Sequence, residues 1–218
     1  MTQHVRAEPL VVVGIGGLGR EVLDVIAAVN AAGPPRHVLV GALDDHPSDV
    51  NRALLEDHRV PYLGTVDSWI ASGRQAEFVI GIADAGHRRR ADHKLSAAGY
   101  RAATLVHPLA STGSLVVVGP GSVVCAGARL TTSITLGRHV HIHVNATVGH
   151  DSTLDDYSSV YPQGAVSGSC TLESGTTVGA HATVLQGRRV GRDGFVGAGA
   201  VVTTDVEPGS VVKGIPAR

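Results

Sequence analysis

Residues 178–202 read VGAHATVLQGRRVGRDGFVGAGAVV, and every sixth residue of this stretch is a valine. The same six-residue phase extends back to residue 118 and holds an aliphatic side chain at every step. These positions are Val118, Val124, Leu130, Leu136, Ile142, Val148, Leu154, Val160, Val166, Leu172, Val178, Val184, Val190, Val196 and Val202. Because neither the 3.6-residue period of a helix nor the two-residue period of a strand fits, we predict a repeat of short flat segments.

A smaller residue stands two positions before most of these aliphatic residues. These are Ala128, Ala146, Ser152, Ser158, Gly164, Cys170, Thr176, Ala182, Gly194 and Ala200. Three segments form one turn of a three-sided coil, so the 90 residues from 118 to 207 predict five turns of 18 residues. We expect the aliphatic residue to fill the interior, the small residue to let the chain turn the corner, and stacked turns to pair their backbones.

The first half of the chain follows a different pattern, in which apolar strands alternate with helical stretches. Strands are predicted at 10–13, 37–43, 78–82 and 102–106, and helices at 20–32, 65–72 and 85–98. This alternation predicts a four-stranded parallel sheet with covering helices.

A glycine loop at 14–19, Gly-Ile-Gly-Gly-Leu-Gly, separates the first predicted strand from the first helix. It matches G-x-G-x-x-G, in which the close backbone approach and the helix N-terminus suit a phosphate group. Gly14, Gly16 and Gly17 are therefore candidate substrate-binding residues. A dinucleotide fold needs a second half for which there is no room before the repeat, so a single nucleotide or a nucleotide-sugar fits better.

Three aspartates follow predicted strands on the same edge of this sheet. Asp44 and Asp45 end the second strand, where a ribose or base is often held, and Asp84 comes just after the third strand. All three are candidate substrate-binding residues. A solvated Asp-Asp turn explains Asp44 and Asp45 equally well.

The charge balance and the cysteines exclude several classes of protein. The 18 Lys and Arg residues against 19 Asp and Glu residues give a net charge of -1, which disfavours nucleic-acid and membrane-surface partners. No apolar run approaches the roughly 18 residues of a membrane span, and the start MTQHVRAEPLVVVG lacks a signal-peptide cleavage site, so we expect a soluble cytoplasmic protein. Cys125 and Cys170 exclude a disulfide framework, and neither is expected to carry an acyl group.

The pairs Val178-Gly179, Val190-Gly191 and Val196-Gly197 resemble the repeat units of the hexapeptide-repeat acyltransferases. This resemblance implies an all-β left-handed parallel β-helix over 107–218 that carries the acyltransferase chemistry. The α/β, Rossmann-like nucleotide-sugar-binding domain predicted from the alternation and the glycine loop precedes it over 1–106. The γ-class carbonic anhydrases share this β-helix and bind a metal through histidines five residues apart. No histidines from 139 onward have that spacing, so we expect no metal.

A small nucleotide-binding domain before such a β-helix is similar to the NeuD/PglD-like sugar acyltransferases. Residues 142–151, IHVNATVGHD, resemble the family's Ile-Asn-x-Asn-x-Thr-x-Gly-His-Asp segment, and the closing GIPA at 214–217 resembles its usual stop. The resemblance implies that His150 is the general base, with Asp151 orienting its ring and Asn145 as a further catalytic candidate.

The chain departs from this family at three places. His143 replaces the family's usual first asparagine and, like the neighbouring His139 and His141, is interpreted as a surface or subunit-contact residue, with a catalytic role as the alternative. Leu18 stands where the family commonly has histidine, and residues 83–88 read ADAGHR in place of Gly-Asn-Asn-x-x-Arg. The last two changes lie in the expected nucleotide pocket and bear on substrate identity.

The resemblance also implies acetyl-CoA as the donor, held in a groove between neighbouring subunits of a homotrimer. Gly168, Ala180 and Ala198 each follow an inward aliphatic residue by two positions and are expected to form a strip for the pantetheine arm, although small residues also simply ease corners. Lys213, with Arg218, is a candidate for the coenzyme's phosphates.

These observations predict an acetyl-CoA-dependent acyltransferase that acetylates an amino group or hydroxyl of a nucleotide-linked or free sugar by direct attack. An acyl thioester is already activated, so the enzyme needs chiefly to align it, remove a proton and stabilise the oxyanion. Two alternatives remain: an acyltransferase acting on a natural-product sugar with another acyl-CoA, and a non-catalytic trimeric nucleotide-sugar-binding protein.

Overall fold

A computed structural model describes residues 7–218 of the chain. Residues 1–6, part of the start on which the absence of a signal peptide is expected, lie outside the described residues. The chain divides into two compact units, Met1–Leu105 and Val106–Arg218. No helix within the described residues is long and apolar enough to cross a membrane.

Over its described residues, the first unit contains a three-stranded parallel sheet and four helices. The strands are β1 (Glu8–Val13), β2 (His37–Leu43) and β3 (Glu77–Ile80), in the order β2-β1-β3. The helices are α1 (Gly17–Ala31), α2 (Asp49–Asp57), α3 (Val66–Ala71) and α4 (Ala85–Ala97). Strand residues such as Val11, Val13 and Phe78 are buried in the core of this unit, because helices cover the parallel sheet.

The predicted fourth strand of this sheet is wrong. Ala102 forms only an isolated bridge to Phe78, and Leu105–Val106 belongs to the coil that follows. The Leu105–Val106 strand pairs with Val123–Val124, and the backbone N–H of His107 extends this pairing by donating to the carbonyl of Val124 at 2.8 Å. The segment lies one 18-residue turn before Val123–Val124, so the coil, not the sheet, provides its hydrogen-bonding partners.

Two helices also differ from the expectation. Helix α1 begins at Gly17, inside the glycine loop, three residues before the predicted start. Helix α2 was not predicted, because Leu55 is its one buried residue among those described and no apolar stripe marks it. Its start is set by Ser48, whose hydroxyl accepts the Asn51 N–H at 3.2 Å as an N-cap.

From Leu105 onward the chain forms a three-sided parallel β-solenoid of two-residue strands. Three parallel sheets of seven, six and five strands form its faces over the described residues. In chain order the strands are β4 (Leu105–Val106), β5 (Ser111–Thr112), β6 (Val117–Val118), β7 (Val123–Val124), β8 (Arg129–Leu130), β9 (Thr135–Leu136), β10 (His141–Ile142), β11 (Thr147–Val148), β12 (Thr153–Leu154), β13 (Ser159–Val160), β14 (Ala165–Val166), β15 (Thr171–Leu172), β16 (Thr177–Val178), β17 (Thr183–Val184), β18 (Arg189–Val190), β19 (Phe195–Val196), β20 (Val201–Val202) and β21 (Val211–Val212).

The interior of the solenoid confirms the predicted six-residue phase. Ile142 pairs in parallel with Val124 on one side and Val160 on the other, each 18 residues away, and all three are fully buried. The small residues two positions earlier, such as Ala146 and Cys170, are also buried in this core.

The corners are formed by a different residue from the one expected. The residue three positions before each inward aliphatic side chain has a left-handed backbone, with φ between 51° and 78° at every corner from Leu115 to Gly199. Glycine, asparagine and aspartate tolerate this conformation best, and Gly127, Asn145 and Asp151 occupy it here. The small residue next to the corner packs inward.

The solenoid has about six turns, one more than predicted, because it starts at Leu105, before the periodic stretch. The regular spacing also ends at Val202: Val211 pairs with Phe195 and Val206 with Val190, so the last turn is two residues shorter. The left-handed winding of the coil remains a prediction.

Candidate functional site

His150 and Asp151 form a hydrogen-bonded pair on the outer edge of the solenoid, directly after β11. The His150 Nδ1 atom lies 2.7 Å from Asp151 Oδ2, and the two side chains are 50% and 59% exposed. Asp151 is one of the left-handed corner residues, with φ of 60°. Because a carboxylate only accepts hydrogen bonds, Nδ1 carries the proton, and Nε2 of the neutral ring is left as the acceptor.

Gly168 lies against this ring from the next turn of the coil, 18 residues along the chain. A Cβ atom added at Gly168 would stand 2.5 Å from His150 Nε2 and 2.6 Å from Cε1. The Gly168 N–H donates no hydrogen bond to any described residue. At equivalent corner positions the N–H groups of Arg138 and Arg192 are taken by carboxylates, at 2.7 and 2.8 Å.

Each corner of the solenoid forms a column of residues 18 apart, since the pairing strands are 18 apart. We call the column after the six-stranded sheet the His150 corner; it contains Thr132, His150, Gly168 and Gln186. The column after the seven-stranded sheet, which we call the Ala180 corner, contains Ala180, Ala198 and Gly214, each two residues after the end of β16, β19 or β21.

The expected strip of Gly168, Ala180 and Ala198 therefore does not form along one edge of a single chain. Gly168 precedes Ala180 by 12 residues, which is two thirds of a turn, so the two lie at different corners. Ala180 and Ala198 do share a corner, and exposed Lys213 adjoins their column, one residue before Gly214.

Asn145 lies at the Ala180 corner, before β11, whereas His150 follows β11. Its side-chain oxygen packs against Gly127, where a Cβ atom would stand 2.0 Å from it. The structure therefore does not bring Asn145 to His150 within one chain, because one face of the solenoid separates them.

The three histidines at 139, 141 and 143, interpreted from the sequence as surface or subunit-contact residues, are not on the surface of the chain. His139, His141 and His143 are 0%, 2% and 7% exposed. The His143 ring lies 4.9 Å from that of Tyr161, and the His139 ring stacks on Tyr157 at 5.9 Å. These rings belong to a packed aromatic cluster.

The first unit contains a cavity of about 520 Å³ at the carboxyl edge of its sheet. Of the six predicted substrate-binding residues, five line it: Gly14, Gly16, Gly17, Asp44 and Asp45. Asp84 is not among its lining residues. Asp84 caps α4 instead, since its Oδ1 accepts the His87 N–H at 2.7 Å, and that hydrogen bond lowers the pKa of Asp84.

The glycine loop is held by close backbone packing and by Asp44. A Cβ atom at Gly19 would stand 2.0 Å from the Gly14 carbonyl oxygen, so only glycine fits at residue 19. Asp44 Oδ2 accepts the Ile15 N–H at 3.0 Å, and its Oδ1 accepts the His46 N–H at 2.8 Å. Asp44 therefore fixes the conformation of the loop. The N-cap residue Gly16 has no side chain to cap α1, so the N-terminus of α1 is open toward the cavity.

Sequence reasoning missed a basic wall of this cavity. His87, Arg90 and Lys94 line it from α4, and His46 lines it from the loop after β2. The spacing of residues 87, 90 and 94 places them on one face of a helix, which was the signal available in the sequence. The carboxylate of Asp67, 2.8 Å from Lys94 Nζ, raises the pKa of Lys94 through that hydrogen bond.

Neither cysteine lies in a position to carry an acyl group. Cys170 is 1% exposed in the solenoid core, where its Sγ lies 3.2 Å from the Leu185 carbonyl oxygen, and Cys125 is 4% exposed. Over residues 7–218, no group of three or more His, Cys, Asp or Glu side chains is arranged to hold a metal ion.

Comparison with known proteins gives relatives that are named as acetyltransferases. No family model matches the chain. The chain is 28% identical over 147 residues to GDP-perosamine N-acetyltransferase of Escherichia coli O157:H7, covering 65% of this chain and 66% of that protein. It is 36% identical over 84 residues to 2,3,4,5-tetrahydropyridine-2,6-dicarboxylate N-acetyltransferase of Staphylococcus aureus, covering 38% and 31%. The chain thus spans less than two thirds of these relatives' length.

Solved structures match over almost the whole chain. The acetyltransferase domain of PglB from Neisseria gonorrhoeae FA1090 has a TM-score of 0.85 at 28% identity, over 97% of this chain and 98% of that one. The same domain in complex with acetyl coenzyme A has a TM-score of 0.84 at 27% identity, over 98% and 99%. PerB of Caulobacter crescentus shares the fold, with a TM-score of 0.83 at 24% identity, over 100% and 99%. The predicted resemblance to hexapeptide-repeat sugar acetyltransferases of the NeuD/PglD-like group is confirmed.

Proposed function

We propose that this protein is an acetyl-CoA-dependent acyltransferase that acetylates a nucleotide-linked amino sugar, with His150 as the general base. The observation that carries the proposal is the 2.7 Å pair of His150 and Asp151, half-exposed on the edge of the solenoid. The similarity to GDP-perosamine N-acetyltransferase and to a PglB domain that binds acetyl coenzyme A supports the donor and favours an amine over a hydroxyl as acceptor.

The proposed reaction is a direct transfer. The acceptor amine attacks the thioester carbonyl carbon, the C–S bond breaks, and coenzyme A leaves as the thiolate. Nε2 of His150 takes the amine proton, and the Asp151 carboxylate stabilises the imidazolium that results. The burial of both cysteines supports a mechanism without an acyl-enzyme intermediate.

We assign the Gly168 N–H as the hydrogen-bond donor that stabilises the oxyanion of the tetrahedral intermediate. This N–H donates to no described residue, and Gly168 lies against the ring edge that carries Nε2. A preorganised N–H aimed at a developing oxyanion is typically worth a factor of about 10²–10³ in rate.

The cavity of the first unit is the proposed site of the substrate's nucleotide. Its open α1 N-terminus suits a phosphate, and Arg90 and Lys94 add positive charge on the α4 side. Asp45 lines the same cavity. Among residues 7–218 its Oδ1 accepts the Val66 N–H at 2.8 Å and its Oδ2 has no hydrogen-bond donor, so Oδ2 is available to a ribose or base.

For the donor we propose the Ala180 corner. Ala180 and Ala198 leave the backbone there accessible to the pantetheine arm, and Lys213 supplies a cation for a phosphate. The proposed assembly is a homotrimer of left-handed solenoids, in which a neighbouring copy brings this corner to His150.

The test is a thiol-release assay with acetyl-CoA and a panel of nucleotide-linked amino sugars. His150→Ala is expected to lower kcat by about 10²-fold or more while coenzyme A still binds in calorimetry. His58→Ala is the matched control, since His58 is an exposed residue that ends α2. Unchanged kcat in His150→Ala would remove His150 from the mechanism, and a wild-type protein that binds the sugars without releasing thiol would be a binding protein only.

A further inference from the structure

The ring of His150 rests on a position that has no side chain. The three heavy atoms nearest to a Cβ built at Gly168 are Nε2, Cε1 and Cδ2 of His150, at 2.5, 2.6 and 3.0 Å. Ordinary contacts of a Cβ atom begin near 3.4 Å. The edge of the ring that bears Nε2 therefore occupies the space that any larger residue at 168 would fill.

The stacking of the coil explains why this position matters. At the His150 corner, Thr132, His150, Gly168 and Gln186 succeed one another at intervals of one turn. Among these four residues only Gly168 lacks a side chain, and it comes directly after the histidine. The Gly168 backbone has no positive φ, so the chain turn itself does not require glycine there.

We propose that Gly168 is a positioning residue for His150: the missing side chain lets the ring lie against the next turn while Nδ1 keeps its hydrogen bond to Asp151. The ring is thus held at two places, by the Asp151 carboxylate at Nδ1 and by the Gly168 backbone beneath Nε2. This inference rests on the proposed function of His150, and it adds a steric role for Gly168 to the N–H role assigned above.

The consequence of filling this space follows from the exposure of the ring. The His150 side chain is 50% exposed, so it can swing toward solvent and the backbone need not move. Clearing a new methyl group takes a shift of about 1 Å, and a misplacement of that size can cost about 10²-fold in rate. The shift also pulls Nδ1 from Asp151, which frees the ring to exchange tautomers.

The experiment uses Gly168→Ala in the full-length protein. Long-range ¹H–¹⁵N NMR of the histidine ring is expected to show the Nδ1–H tautomer in wild type and a mixture of both tautomers in Gly168→Ala. In the thiol-release assay kcat is expected to fall by about 10²-fold, with coenzyme A affinity unchanged within a factor of two. Gly168→Ala placed in the His150→Ala background is expected to cost no further activity.

Gly33→Ala is the matched control, because a Cβ there meets nothing within 4 Å and its φ is ordinary. It should leave both the ring spectrum and kcat unchanged. A Gly168→Ala protein with the wild-type ring spectrum would overturn the proposal, whatever its activity. Weaker coenzyme A binding with that spectrum unchanged would instead assign Gly168 to the pantetheine site. Since the NMR signal needs no turnover, it separates this inference from the proposed acetyltransferase activity.

Discussion

At the scale of single residues, the chemistry of the solenoid depends on backbone conformation as much as on side-chain type. Asp151 occupies a left-handed corner, which aspartate tolerates, and its carboxylate meets the ring of the residue before it. The family resemblance pointed to His150 and Asp151. Gly168 lies beneath the ring because it follows His150 by 18 residues, which is one turn. The predicted strip of Gly168, Ala180 and Ala198 was based on multiples of six residues and did not distinguish the three corners.

We predict that Asp151→Asn lowers kcat by about tenfold with little change in stability. Asparagine keeps the left-handed corner, but the charge-assisted hydrogen bond to Nδ1 is lost, and the amide can also donate to Nδ1 and favour the wrong tautomer. The half-exposed setting of the pair keeps the effect at the lower end of the range for such bonds. Steady-state kinetics and thermal unfolding measure the two quantities.

Asp193→Asn is the control for this change, since Asp193 is also a left-handed corner residue, with φ of 54°. It makes the same chemical change at a corner away from His150. A full kcat in Asp151→Asn would show that Asp151 neither orients the ring nor stabilises the imidazolium.

At the scale of elements, the sequence predicted the repeating parts better than the irregular ones. The inward phase of the solenoid was read correctly because each turn repeats the same burial, as at Val124 and Ile142. The strand expected at 102–106 failed because a short apolar run does not say which neighbour will pair with it. Helix α2 was not predicted because Leu55 is its one buried residue among those described, and the Ser48 cap that marks its start is a short signal.

A pH-dependent stability is predicted for the cap of α4. The hydrogen bond from the His87 N–H lowers the pKa of Asp84 below its ordinary value of 3.8. A folded-state pKa below the unfolded value means that ionised Asp84 stabilises the fold above that ordinary pKa. This contribution is lost as the pH falls through the lowered folded-state pKa. Asp84→Ala is expected to cost about 1 kcal/mol at neutral pH, the usual value of an N-cap, and much less in acid.

The measurement is urea unfolding followed by Trp69 fluorescence, at neutral pH and at pH 3. Trp69 is the sole tryptophan of the chain and is 2% exposed in the first unit, so its signal reports that unit. Asp24→Ala, at an exposed position on α1, is the control. An Asp84→Ala deficit that is the same at both pH values would contradict the assignment of the stability to the ionised cap.

At the scale of the whole molecule, the proposed site is incomplete in one chain. His150 and Gly168 lie at one corner of the solenoid, whereas Ala180, Ala198 and Lys213 lie at another. The five residue-to-residue steps from Asn145 to His150 separate these corners by roughly 16 Å at about 3.3 Å per step. A thioester lying along the Ala180 corner therefore does not reach the His150 of the same chain without crossing a face, and a second copy of the chain can supply the missing corner.

We predict that the active species is a trimer in which each site takes His150 from one subunit and the Ala180 corner from the next. Light scattering should give three times the 22.4 kDa chain mass. His150→Ala and Ala198→Trp should each be inactive, the second because a bulky ring blocks the pantetheine path.

Unfolded and refolded together, the two variants should recover activity in about a quarter of the sites, because random assortment places an intact histidine beside an intact corner that often. The mixture of His150→Ala with wild type, treated in the same way, should keep half of its sites and therefore gives the scale for the yield of refolding. No recovery in exchanged trimers, or full activity in a monomer, would place the whole site within one chain and leave the separation of the two corners unexplained.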